Sequence, residues 1–494
     1  MSSKKAKPSP SPSASNGRRR DQYENPLVGR YGSPEMSFVF SPQFKFSTWR
    51  KLWLALAQGE RKLGLNITQK QIKELAAHLD DINFDVADAK EKEIRHDVMA
   101  HVFAYGVQAP AAKGIIHLGA TSAYVTDNTD LIQIRSALQL IRRKLINVIA
   151  ALAAFAEKYD ALPTLAYTHF QAAQPTTVGK RACLWIQDLL LDLEELDEVS
   201  NKLPFLGVKG TTGTQASFLE LFGGNIKKVQ ALEKFVASEM GFSRVLPVSG
   251  QTYTRKIDYR ALSTLCSVAQ SAHKFANDLR LLAHLKQIEE PFEKGQVGSS
   301  AMAYKRNPMR AERMTGLSRH LIVLVLDPAL TAAEQWFERT LDDSANRRIA
   351  VGEAFLTADV VLETYLNVAQ DLVVHPAIIA SHLAAEMPFM ATENLLMEAV
   401  KRGGDRQELH ERIRAHSQGA AKQVKDHGRP NDLLARIRED DAFASVRGML
   451  GDIADPKNYI GLSTEQTRAF LKTHVAPILK ANRDALGMKG RVDV

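Results

Sequence analysis

The sequence predicts an all-α protein of three helical domains built around a bundle of long helices shared between subunits. Two observations predict it. Apolar residues recur at alternating spacings of three and four through the middle of the chain, and alternating strand patterns with glycine-rich βα turns are missing. The first such row is Leu131, Ile134, Leu138, Ile141, Leu145, Val148, Leu152 and Phe155. Asp127 or Asn128 is its expected N-cap, and Pro163 lies just past its far end. A second row is Leu262, Leu265, Ala269, Ala272, Ala276, Leu279 and Ala283, whose alanines allow close approach of a packed neighbour. Helices of about 30 residues span roughly 45 Å, more than a compact monomeric bundle needs. Ile132, Leu140, Ile146 and Ile149 widen the first stripe beyond one seam, which implies burial on several sides and hence a bundle shared between subunits.

The elements follow in order. Residues 1–22 are expected to be a disordered basic tail: Lys4, Lys5, Lys7, Arg18, Arg19 and Arg20 lie there among serines and prolines, with almost no large apolar side chain. Residues 23–121 read as an N-terminal domain of short helices and loops, and 122–374 as the long-helix domain. Residues 375–494 read as a C-terminal domain of shorter helices, with loops at Arg402-Gly403-Gly404 and His427-Gly428-Arg429-Pro430.

Composition narrows the function. The net charge is +8, but six of those charges sit in residues 1–20, so the body is nearly neutral and offers no basic face for nucleic acid. Charges interrupt the apolar runs, so no membrane span is expected. No apolar stretch follows the N-terminal basic residues, so no secretory signal is expected either. Cys183 and Cys266 lie far apart in helical patterns and read as buried thiols of a reducing compartment, placing the protein in the cytoplasm.

Six stretches carry residues suited to chemistry. The run Gly298-Ser299-Ser300-Ala301-Met302-Ala303-Tyr304-Lys305-Arg306-Asn307-Pro308-Met309-Arg310 follows the charged, breaker-rich Glu289-Glu290-Pro291-Phe292-Glu293-Lys294-Gly295, and Pro308 suits the start of the next helix. A loop with two hydroxyls, a lysine and an asparagine between long helices is either a linker or a lid that closes over an anionic substrate. Thr168-His169-Phe170-Gln171, placed at a helix–helix corner before a helix opening near Pro175-Thr176-Thr177, gives His169 neighbours that would fix its tautomer; structural histidines are commoner. Arg95-His96-Asp97, Gly119-Ala120-Thr121-Ser122 and Arg30-Tyr31 read equally well as a surface pair, a helix cap and a docked arm. Between Arg339 and Arg348, Ser344 with Arg347 and Arg348 would suit a phosphate, or else form a solvated helix start balanced by Asp342 and Asp343.

The loop from Gly298 resembles the fumarase/aspartase superfamily signature Gly-Ser-Ser-x-Met-Pro-x-Lys-x-Asn-Pro. Other stretches resemble the adenylosuccinate lyase family within it, of the animal-like type. They include Arg30 to Met36, Arg95 to His101, His117 to Ser122, Lys209 to Gln215, Gly250 to Arg255 and Leu341 to Arg348. The resemblance implies a three-domain, fumarase/aspartase-like helical fold and a homotetramer whose active sites are shared between subunits. It implies no metal and no cofactor. The implied reaction is elimination of fumarate from adenylosuccinate and from the succinylated carboxamide ribotide of purine synthesis.

By the same resemblance Ser299 is the base, with Ser300 as the alternative, and His169 protonates the departing nitrogen. Lys305 and Asn307 hold the succinyl carboxylates. Arg30, Tyr31, Arg339, Ser344 and Arg348 grip phosphate or sugar, while Arg95, His96, Asp97, Thr121, Ser122, Gln251 and Arg313 hold the remainder. One departure stands out: Ala303 replaces the signature proline, which should loosen the open loop. A sister lyase such as one acting on argininosuccinate, or a helical tetramer without activity, are the other readings.

Overall fold

The computed structural model describes residues 21–492, so the reading of residues 1–20 as a disordered tail lies outside the described residues. Five long helices form the centre: α1 (Ser122–Lys158), α2 (Val178–Lys202), α3 (Lys256–His284), α4 (Met309–Leu324) and α5 (Asp343–Gln370). The bundle foreseen from the apolar rows is present. Leu131 through Leu152 of the first row are fully buried, as are most members of the second.

Polar pairs fix helix directions. Arg347 of α5 pairs with Asp130 of α1 near their N-terminal ends, and Lys144 further along α1 lies 2.6 Å from both Asp359 and Glu363 of α5, so the two run parallel. Arg347 also meets Asp258, and Phe275 stacks on Tyr365, so α3 runs the same way. Arg310 bonds Asn367, whereas Asn346 bonds Asp327 just after α4, so α4 returns antiparallel to α5. One hydrophobic core runs from Leu27 to Met387, so the N-terminal helices and the bundle share it. A second, separate core spans Ala391 to Ile453, and Val475 returns to the first.

Two expectations need correction. The first long helix starts at Ser122, and its N-cap, Thr121, lies six or seven residues before the expected Asp127 or Asn128. Those two are buried inside the helix and satisfied by distant partners: Asp127 by Arg255 at 2.8 Å, and Asn128 by the backbone of Leu206 and Gly207. Secondly, strands exist. Pro163–Thr168 (β1) pairs antiparallel with Gln171–Thr177 (β2), and Ile288–Glu289 pairs with Val373–Val374. His169 therefore caps a hairpin and not a helix–helix corner, and α2 opens at Val178 with Thr177 as its N-cap. Among the described residues, one helical stretch, Met309–Ala333, is long and apolar enough by composition to cross a bilayer. It is broken into two helices by Val325, carries Arg310, Arg313 and Arg319, and leaves Val323, Leu326 and Leu330 exposed in the single chain.

One buried group gives a stability test. Glu60, in the helix Pro42–Lys62, is fully buried and neither carboxyl oxygen has a hydrogen-bond partner. Burial pushes its pKa up to about 8. Between pH 4.5 and 8 the native chain keeps a proton that the unfolded chain releases, so stability falls as pH rises, by at most about 1.4 kcal/mol per unit. Glu60→Gln should flatten that decline when melting temperatures are compared at pH 6 and pH 8. Parallel profiles for the two proteins would show that Glu60 does not carry this proton.

Candidate active site

The candidate residues fall into three groups along the bundle. The first gathers at the N-terminal ends of α1 and α5. Arg339 reaches Asp343 at 2.8 Å, and Ser344 and Arg348 follow one turn apart on α5. With Lys45, Thr126 and Asp130 they line a cavity of about 290 Å³. The exposed Arg348 lies 3.6 Å from Asp97. Asp97 opens the helix Asp97–Gln108, His96 is that helix's N-cap and accepts from the Met99 amide, and Arg95 before it is left-handed at φ 55°.

Thr121 and Ser122 begin α1, and the Thr121 side chain makes no capping bond. The amide end of a 37-residue helix is thus left with an uncommitted hydroxyl, an arrangement that favours an anion. Gln251 ties this end together: its backbone N–H donates to Glu338 at 2.9 Å and its Nε2 to the Thr211 carbonyl at 3.0 Å. Arg347 also lines this cavity, but its guanidinium is committed to two acids. It is held by Asp258 at 2.6 Å and Asp130 at 2.8 Å, so its expected phosphate role gives way to a structural one. Arg255 is likewise clamped between Asp127 and Asp343.

The second group sits midway along α5. Ser33 N–H donates to Asp359, which anchors the preceding Arg30 and Tyr31 against the helix. The Arg313 guanidinium lies 5.0 Å and that of Arg30 5.7 Å from the Tyr31 ring centroid, both within cation–π range. Burial lowers the pKa of Arg313, with the Tyr31 hydroxyl opposing the shift.

The third group lies at the far end. Ser299 Oγ accepts from the amides of Ala301 and Met302 at 3.3 and 3.2 Å, leaving its own proton free to be given away. Asn307 Nδ2 donates to the Gly298 carbonyl at 2.8 Å and closes the loop's neck. Gly298 has no alternative there, because a Cβ would lie 2.2 Å from the Lys305 carbonyl oxygen. Lys305 and Ser300 are exposed on the loop, as is Ala303. Below the neck the buried Glu290 accepts from the amides of Arg310 and Ala311, joining the loop's two ends at the start of α4. Its pKa is raised by burial, with those amides opposing the shift.

The β1–β2 hairpin stands at this same end. Tyr167 accepts from Gln287 at 3.3 Å, just beyond α3. His169 and Phe170 form the two-residue turn with φ of 52° and 57°, a conformation that non-glycine residues rarely hold without a functional reason. The His169 side chain is exposed.

Two residues at the first end were not singled out from sequence. His117 accepts from Trp53 Nε1 on Nδ1 at 2.9 Å, which puts its proton on Nε2, and burial pushes its pKa down to about 4. Its left-handed φ of 68° lies four residues before Thr121. Lys45 is largely buried beside the cavity, and burial lowers its pKa. Neither leaves a spacing signal in the sequence.

The first and third groups are far apart. From Ser344 to Asn367, beside the loop's base, α5 advances 23 residues, or roughly 35 Å at 1.5 Å per residue.

Comparison with known proteins agrees with this architecture. Residues 40–322 match the Lyase family and residues 388–470 the adenylosuccinate lyase C-terminus family. An adenylosuccinate lyase of Saccharomyces cerevisiae is 53% identical over 458 residues, covering 92% of this chain and 95% of that protein. One of Schistosoma mansoni is 44% identical over 476 residues, covering 96% and 99%. Among solved structures, a 3-carboxy-cis,cis-muconate lactonizing enzyme of Pseudomonas putida superposes with a TM-score of 0.78 at 22% identity, covering 91% of this chain and 98% of that one. A fumarate lyase of Mesorhizobium gives 0.75 at 23%, covering 91% and 100%, so these two speak for the fold alone. By the length and identity of these matches, the chain belongs to the adenylosuccinate lyase family.

Proposed function

We propose that this protein eliminates fumarate from adenylosuccinate, giving AMP, and from the succinylated aminoimidazole carboxamide ribotide, giving the free carboxamide. The reaction is read as acid–base chemistry without a metal. Ser299 removes the proton beside the succinyl carboxylate, and the electron pair forms the new C=C bond as the C–N bond breaks. His169 protonates the departing nitrogen. Lys305 and Asn307 hold the carboxylate that bears the developing charge. Arg339, Ser344 and Arg348 grip the phosphate or sugar, as do Arg30 and Tyr31 of a second protomer. Arg95, His96, Asp97, Thr121, Ser122, Gln251 and Arg313 position the rest.

The observation that carries this reading is the separation of the groups. About 35 Å of one helix separates the phosphate-suited pocket from the residue that meets the base of the Ser299 loop. No single substrate of nucleotide size bridges that distance, so one protomer's pocket must meet another protomer's loop. We therefore propose a homotetramer in which different subunits complete each site. Exposed Val323, Leu326, Leu330, Leu341 and Ile349 supply apolar surface for such contacts. The two buried thiols fit a cytoplasmic setting.

The purified protein should release fumarate from adenylosuccinate in the presence of a chelator, followed as an absorbance change. Cleavage of argininosuccinate in place of adenylosuccinate would overturn the substrate assignment. Turnover restored only by added metal would overturn the mechanism.

A further inference from the structure

Residues 486–491 form a strap along α1 and α5. The Met488 amide donates to Asn147 Oδ1 at 3.0 Å, Gln370 Nε2 to the Met488 carbonyl at 2.8 Å, and the Gly490 amide to Gln370 Oε1 at 3.1 Å. Asn367 Nδ2 donates to the Gly490 carbonyl at 3.0 Å, and the Arg491 amide to Glu363 Oε1 at 2.7 Å. Irregular surface segments are usually loosely tied, so five bonds over six residues mark a deliberate attachment. Gly490 is required for it, since a Cβ would lie 2.2 Å from the Asn367 backbone nitrogen.

The other half of the Asn367 amide faces the loop. Its Oδ1 accepts from Arg310 Nη1 at 2.7 Å. Arg310 is buried, its Nη2 pairs with Glu293, and its backbone N–H donates to Glu290. A single guanidinium therefore grips the strand of chain leading into the loop and belongs to the strand leading out. An asparagine amide has one donor end and one acceptor end. The Gly490 carbonyl accepts the donor end, which leaves the oxygen aimed at Arg310. Without the strap the amide is free to turn, and its NH₂ would then oppose the guanidinium.

We propose that Asn367 is a positioning residue for the loop that bears Ser299, Lys305 and Asn307, and that the C-terminal strap holds it in the productive orientation. The catalytic part of this inference rests on the role proposed for the loop; the mechanical part does not. Asn367→Ala removes both bonds, and Gly490→Ala displaces the strap while leaving Arg310 untouched. Asn367→Asp can still accept from Arg310 but cannot donate to Gly490.

In the full-length oligomer, Asn367→Ala and Gly490→Ala should each lower kcat roughly tenfold with KM little changed. Tryptic cleavage at the exposed Lys294, Lys305 and Arg306 should speed up in parallel. The double variant should be no worse than either single one, and Asn367→Asp should recover most of the turnover and of the protection. Additive losses, or unchanged cleavage in Gly490→Ala, would overturn the proposal. The cleavage rates read the loop whether or not adenylosuccinate is the substrate, so failure of the functional reading and failure of the strap's role give different results.

Discussion

Ser299→Ala is expected to lower fumarate release by roughly 10²–10⁴-fold, the span typical of a lost general acid or base. A serine hydroxyl is far too weak a base at neutral pH unless its surroundings favour the alkoxide. The loop already shows part of that arrangement, because two backbone amides point at Ser299 Oγ, as donors to an oxyanion would. Closure would add the Lys305 charge and exclude water. The Ser299 hydroxyl, not that of Ser300, receives the amide bonds, which is why we assign it the role. Ser300→Ala should therefore retain most activity. A reversal, with Ser300→Ala inactive and Ser299→Ala near normal, would move the base by one residue. His169→Ala should fall as far as Ser299→Ala if it supplies the proton to nitrogen. Both variants leave the bundle untouched and should keep the native oligomer, measured by light scattering.

The second large effect is a gain. Ser299→Ala and Arg348→Ala should each be nearly inactive alone, yet a refolded equal mixture should recover activity. Arg348 stands at one end of α5 and the base of the Ser299 loop at the other, so in the proposed assembly the two reach each site from different protomers. Random assembly then leaves about a quarter of the sites with neither substitution. No recovery in mixed oligomers, with each variant properly assembled, would show that the two residues serve one protomer and would overturn the shared-site reading. A control pairing of Arg339→Ala with Arg348→Ala should not recover to the same extent, because those side chains occupy one cavity.

Parts of this molecule were legible in the residues and parts were not, for identifiable reasons. The helix rows were readable because burial imposes their spacing: Leu131, Ile134, Leu138 and Ile141 are fully buried on one continuous element. The hairpin was not, because its turn is His169-Phe170 and not the Asn-Gly type that announces such turns. Asp127 and Asn128 resemble a cap locally, and only a partner 128 residues away in Arg255 explains why buried acid is tolerated mid-helix. Arg347 and Arg348 are adjacent and chemically alike, yet one is consumed by Asp130 and Asp258 while the other stays exposed. The candidate list itself needed the family signature. How those residues divide into three groups was unreadable, since chain order does not follow position along α5.

The length of α5 has a further consequence, which concerns insertions and deletions. Between Arg348 and Asn367 the helix works as a ruler with a fixed phase. One added residue would shift its far end by about 1.5 Å and rotate it by about 100°, turning Glu363 away from Lys144 and Asn367 away from Arg310. Length changes should thus be rare in this stretch among related sequences. They should be frequent around residues 402–405, where a glycine-bearing turn joins two helices of the separate C-terminal core. The register of one helix, more than the identity of any side chain along it, is what such sequences have to preserve.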